Sequence, residues 1–183
     1  MAAPEISAST TVNAPASKVW QRVTDLSAMG QRSPQCKKMI LLPRGSSSSN
    51  SSAAGASTGA GGSSAGAGAP APTPTPGTVT INFNRQGILW WPTWAVVTEV
   101  EPEKVFEFKI PLNGTRWRFE LTPTADGAQT VLTEKRLVPG GNTSLVSRVL
   151  VAAVLGGEEK FEASLQEGIQ QTIRALAREA ENF

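Results

Sequence analysis

The chain of 183 residues contains no histidine and no tyrosine. Without histidine there is no Ser-His-Asp or Cys-His arrangement for nucleophilic catalysis, and no imidazole-ligated metal. A single cysteine, Cys36, excludes an internal disulfide and a thiolate zinc cluster. No metal and no other cofactor is therefore expected. No apolar run reaches the roughly 18–20 residues that a membrane span needs. The opening MAAPEISAST has no basic segment followed by an apolar one, so no secretory leader is read and a cytoplasmic location is expected. An excess of one charge sign is also lacking: 17 basic against 15 acidic residues leave a net charge of +2, too little to argue for nucleic acid. With 39% hydrophobic and 17% charged residues, the composition is that of a globular protein.

The chain is long enough for one domain with one sizeable core. Residues 45–77 stand apart: GSSSSNSSAAGASTGAGGSSAGAGAPAPTPTPG has no charge and few large apolar side chains. Glycine and serine keep such a segment flexible, and its proline-rich end favours extended geometry. It reads as a disordered insertion at about 45–77 within a single domain spanning 1–183. The residues before it are too few to form a core alone, and closing a long loop costs entropy that grows only logarithmically with length. Its glycines, Gly55 to Gly68, lack the Gly-Lys-Ser/Thr ending of a phosphate loop.

Periodicity supplies the elements. Ile6, Ala8, Thr10 and Val12 alternate as a strand. Asn13 is placed to cap a helix with Pro15 in its first turn, and Val19, Val23 and Leu26 form its apolar stripe. Asp25 or Ser27 suits the cap of a second short helix, Leu26–Arg32, ended by Ser33-Pro34. Strands are read at Cys36–Leu42, Thr78–Arg85, Leu89–Val100, Val105–Pro111, Thr115–Pro123 and Gln129–Leu137, separated by turn signals such as Asn113-Gly114. Ser144–Leu155 is largely apolar. From Glu158 to Glu181, Phe161, Leu165, Ile169, Ile173, Leu176 and Ala180 recur at helical steps, so this helix needs an apolar surface to lie on, and the sheet offers one.

Several stretches carry a family resemblance. They are Val12 with Ala14-Pro15, Val19-Trp20, Val23-Thr24-Asp25-Leu26, Met29-Gly30, Ser33-Pro34, Trp94, Val97-Thr98-Glu99-Val100-Glu101-Pro102, Trp117-Arg118-Phe119-Glu120-Leu121-Thr122-Pro123, Gly168-Ile169 and Thr172-Ile173-Arg174-Ala175-Leu176. With the order of elements, they resemble the polyketide cyclase/dehydrase-like group of small bacterial proteins in the START-related and birch-pollen-allergen-like (SRPBCC) superfamily. The resemblance covers nearly everything except 45–77. It implies an α+β helix-grip fold: a curved seven-stranded antiparallel sheet wrapped around a long C-terminal helix, with two short helices after the first strand.

In that fold a cavity lies between sheet and helix. Trp90, Trp94, Phe106, Phe108, Trp117 and Phe119 are the candidates for its wall; the alternative is that these rings fill the core. Five tryptophans without tyrosine give an apolar wall with few polar handles, which suits a flat or greasy ligand. Trp20 and Trp91 are weaker candidates because alternation turns them elsewhere. Glu134 and Arg136 share a strand face with Leu132. On a concave face they could hold a polar group of a ligand; on the outer face they are a solvated pair. Arg116 and Arg118 read as a solvated face, and Arg32, Ser33 and Gln35 fall near the cavity mouth. Cys36 reads as a buried thiol with no activating base. Asp25 and Glu99 could do acid–base chemistry only in a shared dry pocket, and no catalytic residue is assigned.

The function expected is binding or carriage of a small hydrophobic or aromatic ligand by a monomer or weak homodimer, with no nucleic acid and no membrane span. The alternatives are a cyclase or dehydratase acting on an apolar, polyketide-like substrate, and a chaperone-like protein-interaction domain.

Overall fold

The computed structural model describes residues 3–42, 73–139 and 158–183. Residues 45–72 of the expected insertion, the apolar stretch Ser144–Leu155 and the side chain of Phe161 lie outside the described residues. Strand β1 (Glu5–Val12) leads into α1 (Ala16–Thr24), a 3₁₀ turn (Leu26–Ala28) and α2 (Met29–Arg32). Strands β2 (Cys36–Leu41), β3 (Val79–Gln86), β4 (Leu89–Glu101), β5 (Val105–Ile110), β6 (Thr115–Pro123) and β7 (Thr130–Leu137) follow, and α3 (Glu158–Glu181) ends the chain. The strands form one antiparallel sheet in the order β1-β7-β6-β5-β4-β3-β2. The helices between β1 and β2 thus carry the chain from one sheet edge to the other, and the architecture is the helix-grip fold.

Local chemistry explains the crossing. Asn13 does not cap α1. Its backbone N–H and its side-chain amide both donate to Glu181 Oε1, at 2.8 and 3.1 Å, tying the start of α1 to the end of α3. Pro15 takes the cap position, and its carbonyl accepts from Lys18 and Val19. Asp25 caps the 3₁₀ turn by accepting from the Ala28 N–H. At Ser33, extended backbone before Pro34 ends α2. Gly30 lets α2 lie directly on β2, because a Cβ there would collide with the Lys37 carbonyl oxygen.

Arg32 is the strongest tie in this region. Its side chain is 1% exposed. It donates from Nε to Glu179 on α3 at 2.9 Å and from Nη1 to the carbonyls of Arg22 and Asp25 at 2.7 and 2.9 Å. It therefore clamps α1, α2 and α3 together rather than facing the cavity mouth.

Residues 73–77 of the expected insertion are among the described residues. Pro74 is buried, Thr75 accepts from the Thr78 N–H, and Gly77 donates to the Val97 carbonyl at 2.8 Å. Residues 73–77 are thus part of the approach to β3.

The core fills one end of the space between sheet and helices. Val12, Val19, Trp20, Val23, Phe106, Leu121, Leu132, Ile173 and Leu176 meet there. Trp20 packs edge-to-face on Phe106, with centroids 6.3 Å apart. A second cluster joins Ile6 on β1 to Leu165 and Ile169 on α3, with Trp117 packed against it. The cavity opens between these clusters.

Candidate functional site

Alternation on β5, β6 and β7 places the cavity wall. Phe108, Trp117 and Arg136 are direct cross-strand partners, and so are Phe106, Phe119 and Glu134 in the next row. Side chains of both rows point to the helix side, where Phe106, Phe108, Phe119, Glu134 and Arg136 are buried. Between them and α3 lies a cavity of about 150 Å³. Its sheet wall includes Phe108, Ile110, Trp117, Phe119, Glu134 and Arg136, with Asn82, Asn84, Trp91 and Thr93 from β3 and β4. Met29 and the Ser33–Cys36 segment close one side; Leu165, Gly168, Ile169 and Thr172 of α3 form the roof. Gln35 reaches Ser164 across this rim at 3.5 Å.

Three of the expected aromatic positions are corrected. Trp90 and Trp94 are 54% and 44% exposed on the opposite face of the sheet. Phe106 is sealed in the core beside Trp20 and does not border the cavity. The cause of the first two is a bulge between Val97 and Glu99, where Thr98 is the extra residue. Val97 and Val100 therefore both turn inward, and counting by twos back from Val100 selects the wrong side of β4. Trp91 and Thr93 occupy the wall instead. Asn82 and Asn84 were also missed. On β3 the apolar Ile81 and Phe83 suggest the inner face, yet Thr80 and Asn82 are the buried members.

Most polar groups of the wall are already hydrogen-bonded. Asn82 Oδ1 accepts from Thr80, and the Asn84 amide donates to Thr93 Oγ1 at 3.0 Å and to the Trp91 carbonyl at 3.3 Å. Thr115 donates to Asn113, and Thr172 to the Gly168 carbonyl. Glu134 differs. It is 3% exposed, and its Oε2 has no hydrogen-bond partner. Burial drives its pKa well above the ordinary carboxylate range, so the uncharged acid is favoured, with an O–H able to donate. Of the two faces open to Glu134 and Arg136, the structure places them on the inner one, and both line the cavity.

The remaining candidates are dispersed. Ser33 and Gln35 border the cavity; Arg32 does not. Cys36 borders it too, but burial raises its thiol pKa to about 11, so the thiolate is disfavoured. Asp25 caps the 3₁₀ turn, while Glu99 pairs with Arg118 on the outer face, so they share no pocket. Arg116 and Arg118 form an outer-face network around Glu107, a carboxylate that is itself buried. Burial works against the Glu120 carboxylate, but bonds from Lys135 and Arg118 outweigh it and lower its pKa.

Solved structures share this architecture. The chain superposes with a TM-score of 0.63 on a Thermus thermophilus protein, at 11% identity and 97% coverage of each chain. It is similar to the Zhui aromatase/cyclase of a Streptomyces species, with a TM-score of 0.61, 18% identity and coverage of 97% of this chain and 93% of that one. A polyketide-cyclase-like protein of Corynebacterium glutamicum gives a TM-score of 0.54 at 21% identity, over 95% and 89% of the two chains. These likenesses establish the fold. No curated protein sequence matches the chain. The model of the family described as polyketide cyclase / dehydrase and lipid transport matches residues 3–181, and the chain belongs to that family.

Proposed function

We propose that the protein binds a small, mainly apolar or aromatic molecule that carries one hydrogen-bond-accepting group such as a carbonyl. The observation that carries this reading is Glu134, buried in the cavity wall with an unpartnered carboxyl oxygen beside Phe119. Phe108, Trp117 and Phe119 offer ring faces and edges to an apolar body. A protonated Glu134 donates to the acceptor group, and desolvation strengthens that bond. Family membership and the aromatase/cyclase neighbours support an apolar ligand.

The test is native mass spectrometry of the protein purified from its own host, followed by titration with aromatic ketones and their deoxygenated analogues. Preference for the ketone, lost in Glu134→Leu and retained in Glu134→Gln, whose amide still donates, is the expected result. Equal affinity for both analogues in the parent protein defeats the reading.

One observation favours a second, enzymatic reading. A carboxylic acid kept uncharged in an apolar cavity is also a candidate general acid for a cyclisation followed by dehydration. Glu134 is the group on which that reading rests. Under it, Glu134→Gln abolishes turnover of a poly-β-ketone substrate while still binding it.

A further inference from the structure

The sheet face turned away from the cavity carries an apolar surface that ligand binding does not use. Across β2, β3 and β4, Ile40, Ile81 and Trp94 stand in one cross-strand row. Phe83 and Pro92 pair in the next, and Trp90 lies opposite Arg85. Phe83 is 40% exposed and Ile88, at the tip of the β3–β4 hairpin, 97%. On β3 the amphipathic pattern is inverted, with asparagine inside and Ile81 and Phe83 outside. A folded protein gains nothing from such an arrangement unless something covers the outer face.

Charge identifies the cover. Lys38 pairs with Phe83, and Lys109 lies beside Val96, at the borders of the apolar rows. The Arg85 guanidinium stacks 5.2 Å from the Trp90 ring. Lys38, Arg85 and Lys109 are exposed and, among the described residues, have no acidic partner. Of the acids on this face, Glu99, Glu107 and Glu120 are each held by Arg116, Arg118 or Lys135, and the exposed Glu5 and Glu101 lie away from the tryptophans, on the opposite edge strand and at the far end of β4. Around the tryptophans the surface thus presents cations without acidic partners, although the Arg85 Nε also donates to the Gly87 carbonyl at 2.8 Å.

We propose that this face docks peripherally on a bilayer containing anionic lipid. Indole rings favour the headgroup boundary, and lysine and arginine stems can lie along apolar surface while their charges reach lipid phosphates. A second copy of the chain is the poorer occupant, because a two-fold contact would set this patch, with Lys38, Arg85 and Lys109, against an identical basic patch. An acidic protein is also poorer, because a hairpin tip capped by Ile88 suits a soft, deformable phase better than a rigid complement. No described helix is long and apolar enough to cross a membrane, so the contact lies on the surface.

The test uses the full chain with vesicles of phosphatidylcholine alone and of phosphatidylcholine mixed with phosphatidylserine. Co-sedimentation with the mixed vesicles is expected, with little on the neutral ones, and high salt should weaken it. Lys38→Glu combined with Arg85→Glu should lower affinity for the mixed vesicles at least tenfold, since each basic residue near an anionic surface contributes about fivefold. Brominated lipid should quench the parent protein's tryptophan fluorescence, and a Trp90→Phe, Trp94→Phe variant should lose most of that quenching. The quenching result does not depend on the charge variants folding. Absence of co-sedimentation with the mixed vesicles overturns the proposal and leaves an acidic protein surface as the occupant. Quenching that survives loss of both tryptophans overturns the assigned face.

Discussion

Glu134 stands directly opposite Phe119 in the β6–β7 ladder, and both are almost sealed from solvent. A carboxyl packed opposite a phenyl ring is removed from water, which disfavours its charged form. Burial raises its folded-state pKa well above the ordinary 4.5. Between those two values the folded protein holds a proton that the unfolded chain has released, so stability falls as pH rises through this window. Glu134→Gln removes the titration. The variant should match the parent protein near pH 4 and exceed it at neutral and higher pH, as read from urea midpoints across pH. A parent protein whose stability rises over the same interval relative to the variant contradicts the assignment.

Phe106 and Phe108 share a strand face, yet their replacement should differ. Phe106 is fully buried against Trp20, so Phe106→Ala opens a new void and should cost about 3–5 kcal/mol. Phe108 already borders the cavity and loses fewer contacts. Phe108→Ala should cost clearly less and should weaken binding of a hydrophobic fluorescent probe. Trp117→Ala should behave like Phe108→Ala. Equal stability losses at 106 and 108 with unchanged probe affinity would show that the cavity does not take the probe.

The Arg32 clamp yields a prediction about geometry rather than charge. Lysine retains the positive charge but cannot direct donors to Glu179 and to the carbonyls of Arg22 and Asp25 at once. Arg32→Lys should lower stability by about 2–3 kcal/mol, the scale of losing buried charge-assisted hydrogen bonds. Chemical denaturation measures it, and a loss below about 0.5 kcal/mol would mean that the helices are held by packing alone.

Trimming within the low-complexity segment should separate two effects. Replacing residues 45–72 with a short Gly/Ser linker should leave the melting temperature nearly unchanged, because loop closure depends weakly on length. Extending the deletion through Gly77 removes the buried Pro74 and the Gly77–Val97 hydrogen bond. That longer deletion should destabilise by about 1–2 kcal/mol. Calorimetry of the two variants decides between a boundary at 72 and one at 77.

Most of the architecture was legible because it depends on periodicity. Strand β6 and helix α3 fall at the expected residues, and the other strands differ by about one residue at their ends. Turn chemistry did the rest: Gly87, Gly114 and Gly127 take positive φ in the hairpins that their neighbours announce. The site was legible on β5–β7, where alternation runs without interruption. It failed on β4, because the bulge at Thr98 has no strong side-chain signal and reverses the sense of every residue before it. On β3 it failed for another reason: the strand's apolar residues face outward.

The sequence alone therefore determined which residues alternate, where the chain turns, and that Leu132, Glu134 and Arg136 share a side. Those properties are local, set by the two-residue repeat of a strand and the 3.6-residue repeat of a helix. Only the tertiary structure decided which side became the cavity wall, that Glu134 lost its hydration, and that Trp90 and Trp94 remained outside. Each of those outcomes depends on where α3 lies across the sheet and on one inserted residue in the ladder, and a repeat of two carries no information about which of its two faces will be covered.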